Sequence, residues 1–238
     1  MENASYYRSE QLEIIHLKNK PFTYSEHNHI SVYTIGLVLH GEITLKTGRQ
    51  YSAYTAPSFF IVAPYQTHAL VLQSDYDMLS VCINKNLLLS YHPYELFGVL
   101  SQILPQLSQD IDYALLVEAL DAMYACEAPQ PTDNVILSSA LSLEYSPEND
   151  GSLQAMADQT NYSLYHYIKV FKQHIGLTPH KFQIQNKIRK AQRMIECGDM
   201  STDIALELGF YDQSHFIKCF KNVVGLTPTQ YRSAVQQI

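Results

Sequence analysis

Apolar and polar side chains alternate in short runs through residues 10–85 of the 238-residue chain. Residues 43–46 (Ile-Thr-Leu-Lys) are one such run, and residues 59–62 form another run that is almost wholly apolar. The runs are separated by turn-forming residues, namely Gly41, Gly48, Pro57 and Pro64. Alternation with period two is typical of strands that bury one face. The pattern therefore predicts several antiparallel strands in the front third of the chain.

The spacing of apolar residues changes to a helical period in the middle of the chain. Apolar side chains recur every three or four positions in residues 93–107 and again in residues 110–127, which predicts two amphipathic helices. The segment 128–132 then holds two prolines in five residues. Because proline interrupts helices and strands, we expect a linker at residues 129–133.

The last third of the chain contains an internal repeat. The heptapeptide His-Tyr-Ile-Lys-Val-Phe-Lys at 166–172 returns as His-Phe-Ile-Lys-Cys-Phe-Lys at 215–221, and each copy is followed four residues later by Gly-Leu-Thr-Pro. Nine of the fourteen positions are identical between residues 166–179 and 215–228. The chain therefore carries two copies of one structural unit.

Each copy has the pattern of two helices joined by a tight turn. In the second copy, Ser201 is predicted to cap the first helix, Gly209 to end it and Asp212 to cap the next. Ser163 takes the place of Asp212 in the first copy. Both second helices place apolar side chains on one stripe and polar, basic side chains on another. This is the helix-turn-helix arrangement.

A single helix is predicted to join the two copies over residues 179–197. At ~1.5 Å per residue it spans roughly 28 Å, which is close to the ~34 Å between successive major-groove faces of B-DNA. One chain could therefore insert two helices on the same side of a duplex.

These residues make the sequence resemble the AraC/XylS family of bacterial transcription regulators. The matching positions are Ile204, Ala205, Gly209, Phe210, Asp212, Gln213, Ser214, His215, Phe216, Lys218, Phe220, Lys221, Gly225, Leu226, Thr227, Pro228, Tyr231 and Arg232. The resemblance covers residues 134–232 and departs mildly at Lys187, where the family often has arginine. It implies that the exposed side chains of the two second helices bind DNA.

The predicted DNA-binding residues are Leu164, Tyr165, Lys169, Lys172, Gln213, Ser214, Lys218 and Lys221. Gln213 suits adenine edges, and the lysines suit guanine or phosphate. A solvated helix face is the alternative explanation for the lysines, although their duplicated placement favours the DNA reading. His166 and His215 recur in both copies, where capping or packing explains them at least as well as DNA contact.

The front segment resembles, more loosely, the cupin-like sensor domain common in the same family. The resemblance rests on residues 27–29, 36–42 and 63–68 and implies a small barrel. The predicted effector-binding residues are His27, His29, Tyr33 and His68. Three interpretations of the histidines stay open: a metal site, a metal-free ligand pocket, and a purely structural role. Thr34 stands where a metal-binding cupin supplies glutamate, and we therefore assign no metal, cofactor or catalytic residue.

Charge is distributed unevenly along the chain. Residues 1–150 hold 6 basic and 17 acidic side chains, and residues 151–238 hold 10 and 6, which gives net charges of −11 and +4 and a total of −7. The acidic front disfavours nonspecific DNA contact. The four cysteines lie far apart, which indicates reduced thiols, and no apolar run is long enough to cross a membrane. We expect a cytoplasmic protein.

The sequence as a whole predicts an α+β protein: a cupin-like antiparallel β-barrel with a helical dimerisation segment, then an all-α double helix-turn-helix. The expected domains are residues 1–128 and 134–238, joined by the linker at 129–133. The expected function is DNA-binding transcription regulation, with double-stranded DNA, a small effector and a second copy of the chain as partners. RNA polymerase is a candidate partner. Two alternatives stay open: a cupin-type metalloenzyme with a helical interaction domain, and a regulator controlled by a protein partner.

Overall fold

The computed structural model describes residues 4–19, 22–128, 132–148 and 153–235. The strands are β1 (Ala4–Arg8), β2 (Leu12–Lys18), β3 (Phe22–His27), β4 (Val32–Thr47), β5 (Gln50–Thr55), β6 (Ser58–Val62) and β7 (His68–Asn84). The helices are α1 (Lys85–Ser90), α2 (Pro93–Ile103), α3 (Tyr113–Ala125), α4 (Asn134–Tyr145), α5 (Leu153–Gln159), α6 (Leu164–Ile175), α7 (Pro179–Glu196), α8 (Ser201–Glu207), α9 (Gln213–Val224) and α10 (Pro228–Ala234). A short 3-10 helix, Leu104–Gln106, follows α2.

Contacts divide the described chain into two compact units. The front unit contains the described residues up to 23, residues 29–128, and residues 234–235. The helical unit contains residues 24–28 and the described residues from 132 to 233. Residues 129–131 of the predicted linker lie outside the described part of the chain.

Two long strands, β4 and β7, form the centre of the front sheet. They pair antiparallel over their whole lengths, with β-bulges between Val38 and His40 and between Gly41 and Ile43. The strand order is β1-β2-β7-β4-β5, with β3 on β7 and β6 on β4. Bulges sharpen the bend of a sheet, and the sheet is a curled half-barrel with edge strands at β1 and β5. The predicted α+β fold class is confirmed.

Helices α2 and α3 cover one face of this sheet. Ile35, Leu37 and Val81 project from the sheet into a cluster that also contains Leu100 and Leu116 from the helices, and all five are fully buried. A fully buried aliphatic side chain contributes roughly 1.5–3 kcal/mol. The apolar faces of the two predicted helices are thus covered within the chain itself.

The helical unit is organised around chains of aromatic rings. Phe171 of α6 packs on Phe182 of α7 with ring centroids 5.9 Å apart. In the second copy, Phe216 and Phe220 of α9 lie 5.7 Å apart, and Phe220 lies 5.5 Å from Tyr231 of α10. Ring pairs at these separations add to the stability that burial alone supplies. The aromatic side chains fix α6 and α9 on the rest of the unit by their inner faces.

Candidate nucleic-acid interface

Helix α6 begins and ends where the sequence predicts. Ser163 Oγ accepts a hydrogen bond from the backbone N–H of His166 at 3.3 Å, and Gly176 terminates the helix at φ 87°, a left-handed conformation that glycine adopts without strain. Tyr167, Phe171 and Ile175 form its buried face. The opposite face is therefore directed to solvent.

The predicted DNA-binding residues of α6 lie on that solvent face, with one exception. Tyr165 is 80% exposed, and Lys169 and Lys172 are exposed one and two turns further on. Leu164 is only half-buried and belongs to the edge of the face. The spacing of four and then three residues aligns the three exposed side chains along the helix.

Helix α9 repeats the arrangement with different side chains. Asp212 Oδ1 accepts a hydrogen bond from the backbone N–H of His215 at 2.7 Å, and Gly225 ends the helix at φ 81°. Its buried face consists of Phe216, Phe220 and Val224. Its solvent face carries all four predicted DNA-binding residues, Gln213, Ser214, Lys218 and Lys221, each exposed.

Helix α7 is the spacer between the copies, and three of its basic side chains have partners within the unit. Lys187 is 4% exposed, donates to the carbonyl oxygen of Gly209 at 3.3 Å, and lies 5.7 Å from the centre of the Phe210 ring. Arg189 donates to the carbonyl oxygen of Asn28 at 2.7 Å, and Lys190 pairs with Glu148 at 2.9 Å. The charges of these three side chains are therefore used in contacts that stabilise the helical unit.

Lys187 explains how the second copy is fastened to the spacer. The carbonyl of Gly209 follows the C-terminus of α8, where backbone oxygens lack helical partners and a cation is favourable. A lysine at this position therefore holds the turn between α8 and α9 against α7.

One predicted cap is wrong. Ser201 is the first residue of α8 rather than its cap, because the extended residue that precedes the helix is Met200. Methionine carries no oxygen acceptor, and α8 has no side-chain cap. The other two predicted caps, Ser163 and Asp212, are confirmed.

Two tyrosines at equivalent positions in the two turns were missed by sequence reasoning. Tyr162 donates from its hydroxyl to Asp133 Oδ2 at 3.2 Å, and its ring meets the ring of His166 edge-on at 4.7 Å. Tyr211 is 92% exposed. The repeat could have revealed them, because the offset of 49 residues between the two copies also aligns Tyr162 with Tyr211.

The hydrogen bonds of Asp133 shift two pKa values. Burial opposes the charged carboxylate, but the backbone N–H groups of Ile136 and Val135 and the Tyr162 hydroxyl together hold the pKa of Asp133 below its usual value. The charge of Asp133 in turn raises the pKa of the Tyr162 hydroxyl. On α9, burial raises the pKa of the Cys219 thiol, which is therefore neutral near pH 7.

The predicted effector-binding residues are distributed over different surroundings. The imidazole rings of His29 and His68 stack with centroids 5.7 Å apart, and His68 Nδ1 donates to the carbonyl oxygen of Gln66 at 3.1 Å. Tyr33 points to the opposite face of the sheet, where it packs against the helical cluster and donates to the carbonyl oxygen of Cys126 at 3.4 Å. Tyr33 therefore does not share a pocket wall with the stacked histidines.

Three of the predicted effector-binding residues come together: His27, His29 and His68 each offer a ring nitrogen, and these nitrogens lie within 4.8 Å of one another. Strand β3 ends at His27, and His29 lies two residues beyond that end. His27 Nδ1 donates to the carbonyl oxygen of Ser25 at 2.8 Å. Burial, together with the charge of Arg189, lowers the pKa of His27 to about 4, and the side chain is neutral near pH 7.

Thr34 stands at the position that supplies glutamate in a metal-binding cupin. Thr34 is buried, and its hydroxyl contacts Cys82 Sγ at 3.5 Å. A threonine hydroxyl held in this way offers no carboxylate ligand. Three histidine nitrogens can still form a zinc site without a carboxylate, so the metal interpretation of His27, His29 and His68 stays open.

Known proteins with similar sequences also contain helix-turn-helix domains. Residues 156–234 match the helix-turn-helix domain family. An HTH-type transcriptional regulator of Bacillus subtilis (strain 168), YbfI, is 32% identical over 94 residues, which is 40% of this chain and 34% of the relative. The chain thus spans about a third of the length of the curated relatives it matches.

Two solved structures share the fold over nearly the whole chain. ToxT from Vibrio cholerae O395 superposes with a TM-score of 0.63 and 13% identity, covering 96% of this chain and 98% of that one. ToxT of strain SCE256 bound to an unsaturated fatty acid gives a TM-score of 0.60 and 14% identity, covering 98% of both chains.

The helical unit is a helix-turn-helix domain in which two turn-linked helix pairs flank one spacer helix. The predicted resemblance to AraC/XylS regulators is confirmed over residues 156–234, which match the helix-turn-helix domain family. Within the described residues, no helix combines the length and the apolar character needed to span a bilayer.

Proposed function

We propose that this protein is a sequence-specific DNA-binding transcription regulator that inserts α6 and α9 into successive major grooves. The observation that carries the proposal is the duplicated solvent face. Both helices are capped at each end, anchored by buried aromatic side chains, and left with an exposed row of polar and basic residues. A buried or ion-paired face could not read bases.

The distribution of lysines supports the same conclusion. Lys187 and Lys190 on the spacer have partners within the helical unit, whereas Lys169 and Lys218 are exposed at equivalent positions on the two reading helices. Lysines that neutralise phosphates release counterions, which makes binding salt-dependent. The proposal therefore predicts that DNA affinity falls with salt concentration, and that a few exposed lysines of the reading helices, such as Lys169 and Lys218, cause this fall.

The test begins with selection of bound sequences from a random duplex pool by the full chain. A recovered consensus with two half-sites one helical turn apart is the expected result. Anisotropy titrations over a range of salt concentrations then compare the full chain with Lys169→Ala and Lys218→Ala. Each substitution should weaken binding and reduce the salt slope by about 1.

Lys85→Ala is the matched control, since it removes the same charge from the front unit. It should leave both the affinity and the slope unchanged. Equal losses in all three variants would show that net charge, and not the two helices, determines binding. No enrichment of any sequence would contradict the proposal.

For the front unit we propose a small effector that binds beside His29 and His68. The two rings stack, and His68 is buried against its own strand end, so a ligand would meet a preformed polar pair. The fold shared with ToxT, one structure of which holds an unsaturated fatty acid, makes such an acid a reasonable first probe. His27, whose ring nitrogen lies within 4.8 Å of those of His29 and His68, remains a predicted member of the site, whereas Tyr33 packs against the helical cluster on the other face of the sheet.

Thermal shift measurements test this second proposal. Oleate and a metabolite panel are added to the full chain and to His29→Ala, because a binder of the native state raises the melting temperature. A rise in the full chain that is lost in His29→Ala supports the site. If no compound raises the melting temperature of the full chain, the alternative is favoured that a protein partner or the concentration of the chain itself controls the regulator.

Dimerisation also remains a proposal. The inner faces of α2 and α3 pack on the sheet, but Tyr113 and Val117 of α3 are about 40% exposed. We propose a two-fold dimer through this outer face, and light scattering of the full chain and of Val117→Glu measures it. RNA polymerase as a partner stays a prediction.

A further inference from the structure

The turn before the second reading helix presents a tyrosine that the fold does not use. Tyr211 lies between the end of α8 and the cap of α9, and it is 92% exposed. Its neighbour Phe210 is buried and packs on Phe216 at 5.3 Å. Among the described residues, none hydrogen-bonds to Tyr211 or stacks on its ring. The side chain therefore contributes nothing visible to the packing of the helical unit.

The first copy treats the equivalent tyrosine differently. Tyr162 is tied to Asp133 by its hydroxyl and to His166 by its ring. In the second copy the equivalent histidine, His215, meets Phe210 instead, at 5.6 Å and 74°. Since Phe210 has taken the ring contact, Tyr211 is displaced outward.

The surroundings of Tyr211 define what it can bind. It precedes three exposed residues, Asp212, Gln213 and Ser214, which form the start of the α9 reading face. The cap Asp212 is a carboxylate and repels phosphate, whereas the cap of the first copy, Ser163, is neutral. A phenol beside this carboxylate supplies an uncharged donor with a long reach.

We propose that Tyr211 contacts the DNA sugar-phosphate backbone next to the second reading helix, with its hydroxyl donating to a phosphate oxygen and its ring packing on a sugar. This inference rests on the proposed function. Tyrosine is among the side chains that make such position-fixing contacts, which carry no base preference. The contact adds affinity to the copy whose helix N-terminus is less favourable to phosphate.

The experiment compares the full chain with Tyr211→Phe and Tyr211→Ala, using the selected duplex and an unrelated duplex of equal length. Loss of one hydrogen bond should weaken binding about three- to tenfold, and removal of the ring somewhat more. The loss should be equal on both duplexes. Because a phenol releases no counterion, the salt slope should stay at the wild-type value, unlike that of Lys218→Ala.

Tyr162→Phe is the matched control. It breaks the bond to Asp133, so it should lower the melting temperature, whereas Tyr211→Phe should not. If Tyr211→Ala binds as tightly as the wild type while Lys218→Ala is weakened, the inference is wrong and the proposed function stands. A wild-type chain that binds no duplex overturns both.

Discussion

The two copies of the helix-turn-helix unit share an interior and differ at their turns. Both bury an aromatic pair on the second helix, Tyr167 with Phe171 and Phe216 with Phe220, and both end that helix at a left-handed glycine. The first copy secures its turn through Tyr162 and Asp133. The second copy secures its turn through Lys187, which bonds the Gly209 carbonyl from the spacer.

This difference shows which part of the duplicated unit is constrained. Packing requires apolar or aromatic side chains at the same positions in both copies, because each second helix must pack on a neighbouring helix. The turn and the outer face have no such requirement, and there the copies differ in charge, in cap and in the use of tyrosine. Two helices with one interior can therefore read different bases.

The largest expected effect tests whether the interiors are equivalent. Phe171→Ala and Phe220→Ala each remove a fully buried ring at equivalent positions of the two copies and should lower the free energy of unfolding by about 3–5 kcal/mol. Urea denaturation of the full chain measures both. A loss below about 1 kcal/mol at either position would show that the two interiors are not equally packed.

A smaller effect separates the reading faces. Gln213→Ala should reduce discrimination at one base pair by about tenfold while average affinity changes little, since a bidentate amide pair is removed. Repeated selection with the variant shows which position loses its preference. An equal loss of affinity on every DNA sequence would show that Gln213 contacts the DNA backbone and not a base. The variant Tyr165→Ala makes the same comparison for the first copy.

The caps offer the next comparison. Ser163→Ala and Asp212→Ala each remove the acceptor for a backbone N–H and should cost about 1 kcal/mol. Asp212→Asn retains an acceptor and removes the charge, so it should preserve stability and raise DNA affinity slightly. Tighter binding by Asp212→Ala with no loss of stability would contradict the capping role.

The smallest expected effect concerns pH and the first copy alone. The pKa of Asp133 is held below its usual value of 3.8 by hydrogen bonds, despite burial. The folded state then binds the proton less tightly than the unfolded state, so this stability is present above about pH 4 and is lost as the pH falls through the folded pKa. The Asp133→Asn variant should therefore lose less stability than the wild type as the pH falls. Acid denaturation curves measure this difference, and identical curves for the two proteins would show that Asp133 makes no such contribution.

The sequence predicts the elements of the helical unit well, for a physical reason. Caps, glycine ends and amphipathic stripes are local properties, and Ser163, Asp212 and Gly225 behave as their residue types predict. Ser201 was misplaced because serine suits a cap and also tolerates the first turn. Only the backbone decides which of the two positions it occupies.

Side chains whose role depends on tertiary contacts could not be predicted. Lys187 looks like one more basic residue on an amphipathic helix, and its burial depends on where α8 ends. The sequence groups Tyr33 with the histidines, but the face of β4 on which Tyr33 lies is set by the register of the sheet. His29 lies beyond the end of β3, where the alternation of a strand no longer applies.

The burial of Lys187 has a consequence for covalent labelling. An amine-directed reagent should reach the exposed lysines of both reading helices quickly, while the ammonium of Lys187 is shielded until the second turn detaches from the spacer. The labelling rate at that one amine then reports how often this junction opens, and mass spectrometry would follow it in the unmutated protein with and without DNA.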